Sequence, residues 1–433
     1  MIADLALVLL AASAPAAAPR ILTLDEALAV ARTQQPQVRQ AAAATRAADA
    51  RTDETLAPLL PQVTGVGTYA QETANYASKP GSLPGQISGG SSTESWDTSS
   101  YYNFGLGASV LIYDFGQTRS RWRASQASAA SQKDTERATL EQVLYSVRSA
   151  YFQARAAKGL VQVQSDTLAN QQKHAEQTEG FVEAGTQPEI SLAQAKTDLA
   201  NARVQLIAAE NSYATAKAQL NQAMGVEDPG EYDVADETLP SVDGEDGETG
   251  ALLDEAIRAR PELAALANQV RAQELTVRAI KGAFGPTLSL STGLSDAGEQ
   301  FSNLTWNWTT GLALSFPIYQ GGQTKAQVRE AEANLAAVKA QLDGERQQVR
   351  FEIEQARLAI RADKVALDAT AEALANARVR LQLAEGRYES GVGSIIELGD
   401  SQVALTSAAQ QRVQAEYVLA QARALLLKAL GRE

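Results

Sequence analysis

Few side chains in this sequence can do covalent or acid–base chemistry. The 433-residue chain has no cysteine, which excludes disulfides, thiolate metal sites, a cysteine nucleophile and a lipidated cysteine. Its one histidine, His174, lies inside a helical pattern and is expected to be solvated. A single imidazole allows neither a Ser-His-Asp triad nor a histidine-rich metal site. The run Asp243-Gly-Glu-Asp-Gly-Glu248 gathers carboxylates, but its spacing does not match an EF-hand loop; a solvated connector is expected, with no metal. Among many carboxylates, Glu397 and Asp400 lie three apart on one face of a helix, with Arg387 and Tyr388 upstream. Such a pair concentrates negative charge without supplying a nucleophile. No enzyme and no cofactor are expected. Net charge is −13, and ten acidic residues with no Lys or Arg fall between Val226 and Gly250, so no basic stripe for nucleic acid remains.

The elements that position the acidic pair are long helices. Ile353, Ile360, Leu367, Leu374, Leu381 and Tyr388 recur every seven residues, and Leu398, Leu405, Leu419 and Leu426 follow on a second ladder broken only by Arg412. Sustained heptads imply left-handed coiled-coil packing. Between the ladders, Tyr388 to Glu397 predicts a tight turn. Gly391 and Gly393 permit positive φ, and Ser394-x-x-Glu397 forms a capping box for the returning helix.

The same hairpin occurs 206 residues earlier. Gly116-Gln117 matches Gly322-Gln323, Gly185 matches Gly391, Gly225 matches Gly431, and Leu192, Leu199, Leu206, Tyr213 and Leu220 repeat the returning ladder. The chain is expected to be a tandem duplication.

Taken in order, residues 1–16 resemble a signal peptide, although the chain opens Met-Ile-Ala-Asp without a positive n-region. Asp25 to Ala57 and Asp254 to Ala283 are helical, each with a proline, Pro36 or Pro261, that should kink or restart it. The period then changes to two. Tyr102, Phe104, Leu106, Ala108, Val110 and Ile112 alternate with small or polar residues, as do Trp306, Trp308, Leu312, Leu314, Phe316 and Ile318. Strands are expected at about 61–72, 100–114, 286–296 and 304–318, with exposed tips at 77–100 and Asp296–Asn303. Fourteen of the 24 aromatic residues fall within 61–115 and 284–319, as aromatic girdles would.

Four strands cannot sit alone in lipid, because open edges leave backbone groups unpaired in hydrocarbon, so a barrel must close between subunits. Gln117 to Gly180 would span about 96 Å at 1.5 Å per residue. Two shorter helices stacked end to end would match that length, giving a long helical tube.

With these features together, the sequence resembles the TolC family of outer membrane efflux proteins over about residues 22–433. The residues that carry the resemblance are the paired strands, Tyr113-Asp-Phe-Gly116-Gln and Tyr319-Gln-Gly-Gly322-Gln leading into the long helices, and the turns. The second turn, Arg387-Tyr388-x-x-Gly391-x-x-Ser394-x-Ile396-Glu397-x-x-Asp400, is close to the family pattern; Gly185-Thr-Gln-Pro188-Glu-Ile-Ser is a looser version. The resemblance implies a mixed α and β membrane protein: a periplasmic α-barrel of coiled-coil helices, and four transmembrane β-strands per subunit in a shared 12-stranded β-barrel of a homotrimer. Repeats at 22–225 and 251–433 would be joined by an acidic linker, 226–250, at an equatorial belt.

The resemblance also implies a role in the outer membrane of a Gram-negative bacterium. Such a protein is a passive exit duct that docks on a periplasmic adaptor and an inner-membrane pump of RND or ABC type, in efflux or type I secretion. Arg387, Tyr388, Glu397 and Asp400 would then form the periplasmic entrance, with six carboxylates around a trimer's axis favouring cations. Gly393 stands where some relatives carry a basic residue, leaving Arg387 to substitute. Gly185, Thr186, Pro188, Gly391, Gly393 and Ser394 would meet the adaptor; Tyr101, Tyr102, Phe104, Tyr113, Trp306, Trp308, Phe316 and Tyr319 would face outer-membrane lipid. The competing readings are a structural trimeric coiled-coil envelope protein or adhesin, which needs no strand pairs, and a wholly periplasmic adaptor-like hairpin protein, which needs no duplication.

Overall fold

The computed structural model describes residues 20–73, 96, 98–227, 230–247 and 249–432. The expected signal peptide and most of the tip at 77–100 lie outside these residues. The first half runs β1 (Arg20–Leu22), α1 (Leu24–Gln34), α2 (Pro36–Leu56), β2 (Gln62–Thr73), β3 (Thr98–Tyr113), α3 (Gln117–Glu183) and α4 (Glu189–Met224). After β4 (Tyr232–Val234) come α5 (Thr249–Ala259), α6 (Pro261–Gly282), β5 (Thr287–Gln300), β6 (Asn303–Ser315), α7 (Gln323–Glu389) and α8 (Ile395–Leu430). Both α3 and α7 contain 67 residues, and α4 and α8 contain 36 each. Among the described residues no helix is long and apolar enough to cross a membrane.

The residues fall into two compact units, one comprising those up to Ala43 with Thr135–Leu263 and Gly344–Glu433, the other Ala44–Asp134 with Ala264–Asp343. In the first, Thr23 caps α1 by accepting from the Glu26 N–H, with Asp25 and Glu26 in the favourable first turn. Pro36 and Pro261 open α2 and α6, where a missing N–H costs nothing. The core gathers around Tyr151 and Phe152, packed edge to face at 5.5 Å with Leu144, Val147 and Leu220. The Tyr151 hydroxyl donates to the carbonyls of Leu22 and Ala235, tying α3 to the parallel pair β1–β4. Burial raises the phenol's pKa, and the neighbouring Glu237 raises it further.

The acidic run that begins at Asp243 is only partly the solvated connector expected of it: Asp243 and Asp246 are exposed. Glu245 is buried, and Arg423 and Lys364 bind its carboxylate at 3.0 and 2.7 Å. Burial pushes its pKa up, but the bonds from Arg423 and Lys364 overcome this and hold it below the ordinary carboxylate range. Asp233 accepts from Lys158 at 2.6 Å and also from the Tyr213 hydroxyl. Buried Tyr232 is pushed up to about 12 by desolvation. Basic groups on α3, α7 and α8 thus bind parts of the linker that sequence spacing alone leaves unpaired.

The second unit contains one antiparallel sheet in the order β2-β3-β5-β6, with β2 and β6 at its free edges. Register pairs Tyr69 with Tyr102, Leu106 with Leu294, and Leu290 with Leu312. Two features depart from the sequence-based strands. Asp296–Asn303 is not a loop: β5 continues to Gln300, and Asp296 pairs with Trp306 beside an irregularity between Ala297 and Gln300. At the other end β6 stops at Ser315, because Pro317 has no N–H to offer a ladder. Phe316 and Tyr319 therefore lie beyond the strand.

Candidate functional site

The two helical turns are built alike. In the first, the N–H groups of Thr186 and Gln187 both donate to the Phe181 carbonyl; in the second, those of Val392 and Gly393 both donate to the Arg387 carbonyl. Gly185 and Gly391 have φ of +72° and +76°, the left-handed conformation that glycine adopts without a Cβ penalty. Gly393 was expected to share that role and does not. A Cβ there would stand 2.7 Å from the Tyr388 nitrogen and 2.8 Å from the Arg387 carbonyl carbon. Glycine is needed at that point for close approach.

The starts of the returning helices differ. Pro188 caps α4 without a side-chain bond, and the Thr186 hydroxyl instead donates back to the Phe181 carbonyl at 2.8 Å. Ser394 caps α8 by accepting from the Ile396 N–H at 3.2 Å. The other half of the expected capping box is replaced, because the Glu397 carboxylate pairs with Arg387 at 3.4 Å. Arg387 and Glu397 are 58% and 40% exposed, so their pair is screened by water. Asp400, one turn on, is exposed.

Tyr388 joins the turns. It is buried with Leu381, Ala384 and Leu398, and Phe181, Ile395 and Leu405 pack against that cluster. Its hydroxyl donates to the Gln187 Oε1 at 3.3 Å, reaching the first turn, and lies 3.3 Å from the Thr178 Oγ1. Its ring meets Phe181 at 5.9 Å and His174 at 5.3 Å, both edge to face. His174 is therefore not a solvated helix residue. It is only 6% exposed, and its Nδ1 has no hydrogen-bond partner. Burial lowers its pKa, partly offset by the Asp198 carboxylate.

The structure thus brings Arg387, Tyr388 and Glu397 together and leaves Asp400 in solvent. It adds His174, Thr178, Phe181 and Gln187. The signal for two of these was present: His174 and Phe181 are seven apart on α3, the spacing that marks a packed stripe.

At the sheet, Tyr113, Trp306, Trp308, Phe316 and Tyr319 are more than half exposed, and Phe104 and Tyr101 nearly so. Tyr102 is only partly exposed; it packs 5.0 Å from Tyr69 and 5.9 Å from Phe301. Adjacent in a strand, Tyr101 and Tyr102 point to opposite faces. Trp308 donates from its indole N–H to Thr292 Oγ1 at 3.0 Å. Apolar exposure on this scale marks a surface that meets something other than water.

Comparison with known proteins agrees with this architecture. The family described as outer membrane efflux protein matches residues 27–226 and 252–432. The pyoverdine export outer membrane protein OpmQ of Pseudomonas putida is 26% identical over 417 residues, 94% of this chain and 85% of that protein. The outer membrane protein TolC of Escherichia coli is 28% identical over 89% of this chain and 78% of its own length. In fold, the CmeC outer membrane channel of Campylobacter jejuni superposes with a TM-score of 0.82 at 19% identity, covering 94% of this chain and 85% of that one. With the family pattern spanning both halves, from α1 through α8, this chain belongs to the outer membrane efflux protein family.

Proposed function

We propose that three copies of this chain form the outer-membrane exit duct of a tripartite export system, supplied by a periplasmic adaptor and an inner-membrane pump of RND or ABC type. The observation that carries this reading is the four-stranded sheet, with two unpaired edges and exposed aromatic side chains, in a chain otherwise made of long paired helices. Each unpaired edge group would cost several kcal/mol in hydrocarbon, so copies sharing the sheet remove the penalty. Family membership and the export role named for the OpmQ relative support the same conclusion.

The finer assignments belong to this reading. The matching helix lengths and the shared turn bonding support a tandem duplication, with repeats at 22–225 and 251–433 joined by the linker 226–250. Arg387, Tyr388, Glu397 and Asp400 would line the periplasmic entrance. Gly185, Thr186, Pro188, Gly391, Gly393 and Ser394 would present the turns to the adaptor; Phe104, Tyr113, Trp306 and Trp308, which share one face of the sheet, would meet outer-membrane lipid, whereas Tyr101 lies on the other face.

Native mass spectrometry of protein extracted from outer membranes in mild detergent tests the assembly, and planar-bilayer conductance tests the duct. A conducting trimer is expected. A monomer released without detergent, or a trimer that never conducts, would make a coiled-coil envelope scaffold the better account.

A further inference from the structure

The second unit holds a feature that export through a duct does not use. Residues Phe115 to Gln132 contain Arg119, Arg121 and Arg123 and no acidic residue. Arg123 on α3 faces a groove of about 670 Å³ between α3 and α6, lined also by Arg271 and Arg278, which are seven apart on α6. Ala127, Ala130 and Leu275 give the groove an apolar lining. Its one acidic side chain, Glu274, is already paired with Lys339 at 2.9 Å. Among the described residues no carboxylate pairs with Arg123, Arg271 or Arg278.

Three unpaired guanidinium groups around one concavity repel one another, and the groove therefore favours an anionic occupant. Its position suggests which. The groove begins where helices meet the sheet: Arg123 is about 9 Å along α3 from its start, and Arg278 about 6 Å from the end of α6. At that junction Tyr113, Phe115 and Phe284 are each more than half exposed. Aromatic rings followed within two helical turns by arginines suit a boundary where hydrocarbon gives way to phosphate. The guanidinium fork matches phosphate oxygens in a bidentate manner.

We propose that this groove holds the headgroup of an anionic phospholipid from the leaflet on the helix side of the sheet, Arg123, Arg271 and Arg278 binding its phosphodiester; this rests on the outer-membrane reading above.

The test uses the assembled full-length protein in vesicles of phosphatidylethanolamine with or without phosphatidylglycerol, comparing wild type with R123Q/R271Q/R278Q and R123K/R271K/R278K. Retained phosphatidylglycerol is counted by native mass spectrometry, and conductance is recorded on the same preparations. The glutamine variant should lose phosphatidylglycerol affinity by on the order of 100-fold, the lysine variant, which keeps the charge but not the fork, should lose clearly less, and both should conduct as wild type does. Unchanged lipid retention in the glutamine variant would overturn the proposal. So would displacement of the lipid by inorganic phosphate alone, which would mark a free-anion site. Dissociation of the glutamine variant in lipid-free detergent would show instead that acidic groups of a neighbouring copy cover the groove. A wild-type protein that neither inserts nor conducts sinks the duct reading and this site with it, whereas a conducting wild type indifferent to phosphatidylglycerol sinks the site alone.

Discussion

The imidazole of His174 lies edge-on against the ring of Tyr388, centroids 5.3 Å apart, and no other histidine exists in the chain. The groups facing it from its surroundings are Lys173 on α3, Asp198 on α4, and Glu385 and Glu389 on α7, while Leu398 and Gln402 face it from α8. Burial keeps the ring neutral by lowering its pKa. With the folded pKa below the unfolded value of about 6.5, the stability that this histidine contributes is present above that value and lost as pH falls through the folded pKa. Hydrogen exchange at the two turns, corrected for intrinsic rates, should therefore show weaker protection in mild acid. His174→Phe keeps a ring against Tyr388 and removes the charge, so its protection should vary less with pH over that range. Equal acid loosening in both proteins would exclude His174 as the cause.

Tyr388 combines a buried ring with a hydroxyl that reaches the first turn. Tyr388→Phe removes the bond to Gln187 and should cost about 1 kcal/mol. Tyr388→Ala also empties the space between His174, Phe181 and Leu398, at about 3–5 kcal/mol. Urea unfolding followed by a reporter near the turns should rank the two in that order. Similar costs would mean that the hydroxyl, rather than packing, carries the contact.

The two glycines of the second turn should fail differently. Asn is tolerated in the left-handed region, so Gly391→Asn should cost no more than about 1 kcal/mol. Gly393→Asn instead drives a side chain into the Tyr388 and Arg387 backbone. It should displace the turn, visible as lost exchange protection at Tyr388 and Leu398. If the two variants behave alike, the close approach does not constrain Gly393.

Two ion pairs invite a contrast. Arg387–Glu397 is exposed on both sides, so Arg387→Ala should change stability by less than about 1 kcal/mol, an effect that salt erases. Glu245→Gln strips the charge from a buried carboxylate and leaves Arg423 and Lys364 facing a neutral amide. That should destabilise by several kcal/mol, with little salt dependence. Because the folded pKa of Glu245 is depressed, its contribution is present above the unfolded value of about 4.3 and lost as pH falls through the folded one. Acid unfolding curves of wild type and Glu245→Gln should converge in that range.

Helices were legible where their signal is local. The ladder from Ile353 to Tyr388 announces its own period, and Gly391 its own turn, without reference to anything distant. Burial of His174 was hidden because the residues that cover it lie on α7 and α8, and one helix does not say which of its stripes is covered. Glu245 was hidden more deeply: its partner Arg423 is 178 residues away, so an acidic run that looks solvated in isolation is neutralised by groups that only the fold delivers. Gly393 misled for a different reason, since glycine serves both left-handed backbone and tight contact and the letter is the same for both.

The alternation of the sheet has a consequence of parity. Each bonded pair in β2-β3-β5-β6 is antiparallel, so with four strands the two free edges run in opposite directions. When copies related by rotation meet edge to edge, β6 of one lies antiparallel to β2 of the next, and the seam repeats the hydrogen-bond pattern of the interior. A chain with three or five strands would force a parallel seam at every junction. Parity therefore permits any number of copies in the ring, and the count must be fixed by curvature: how sharply each sheet bends and how the helices below it pack.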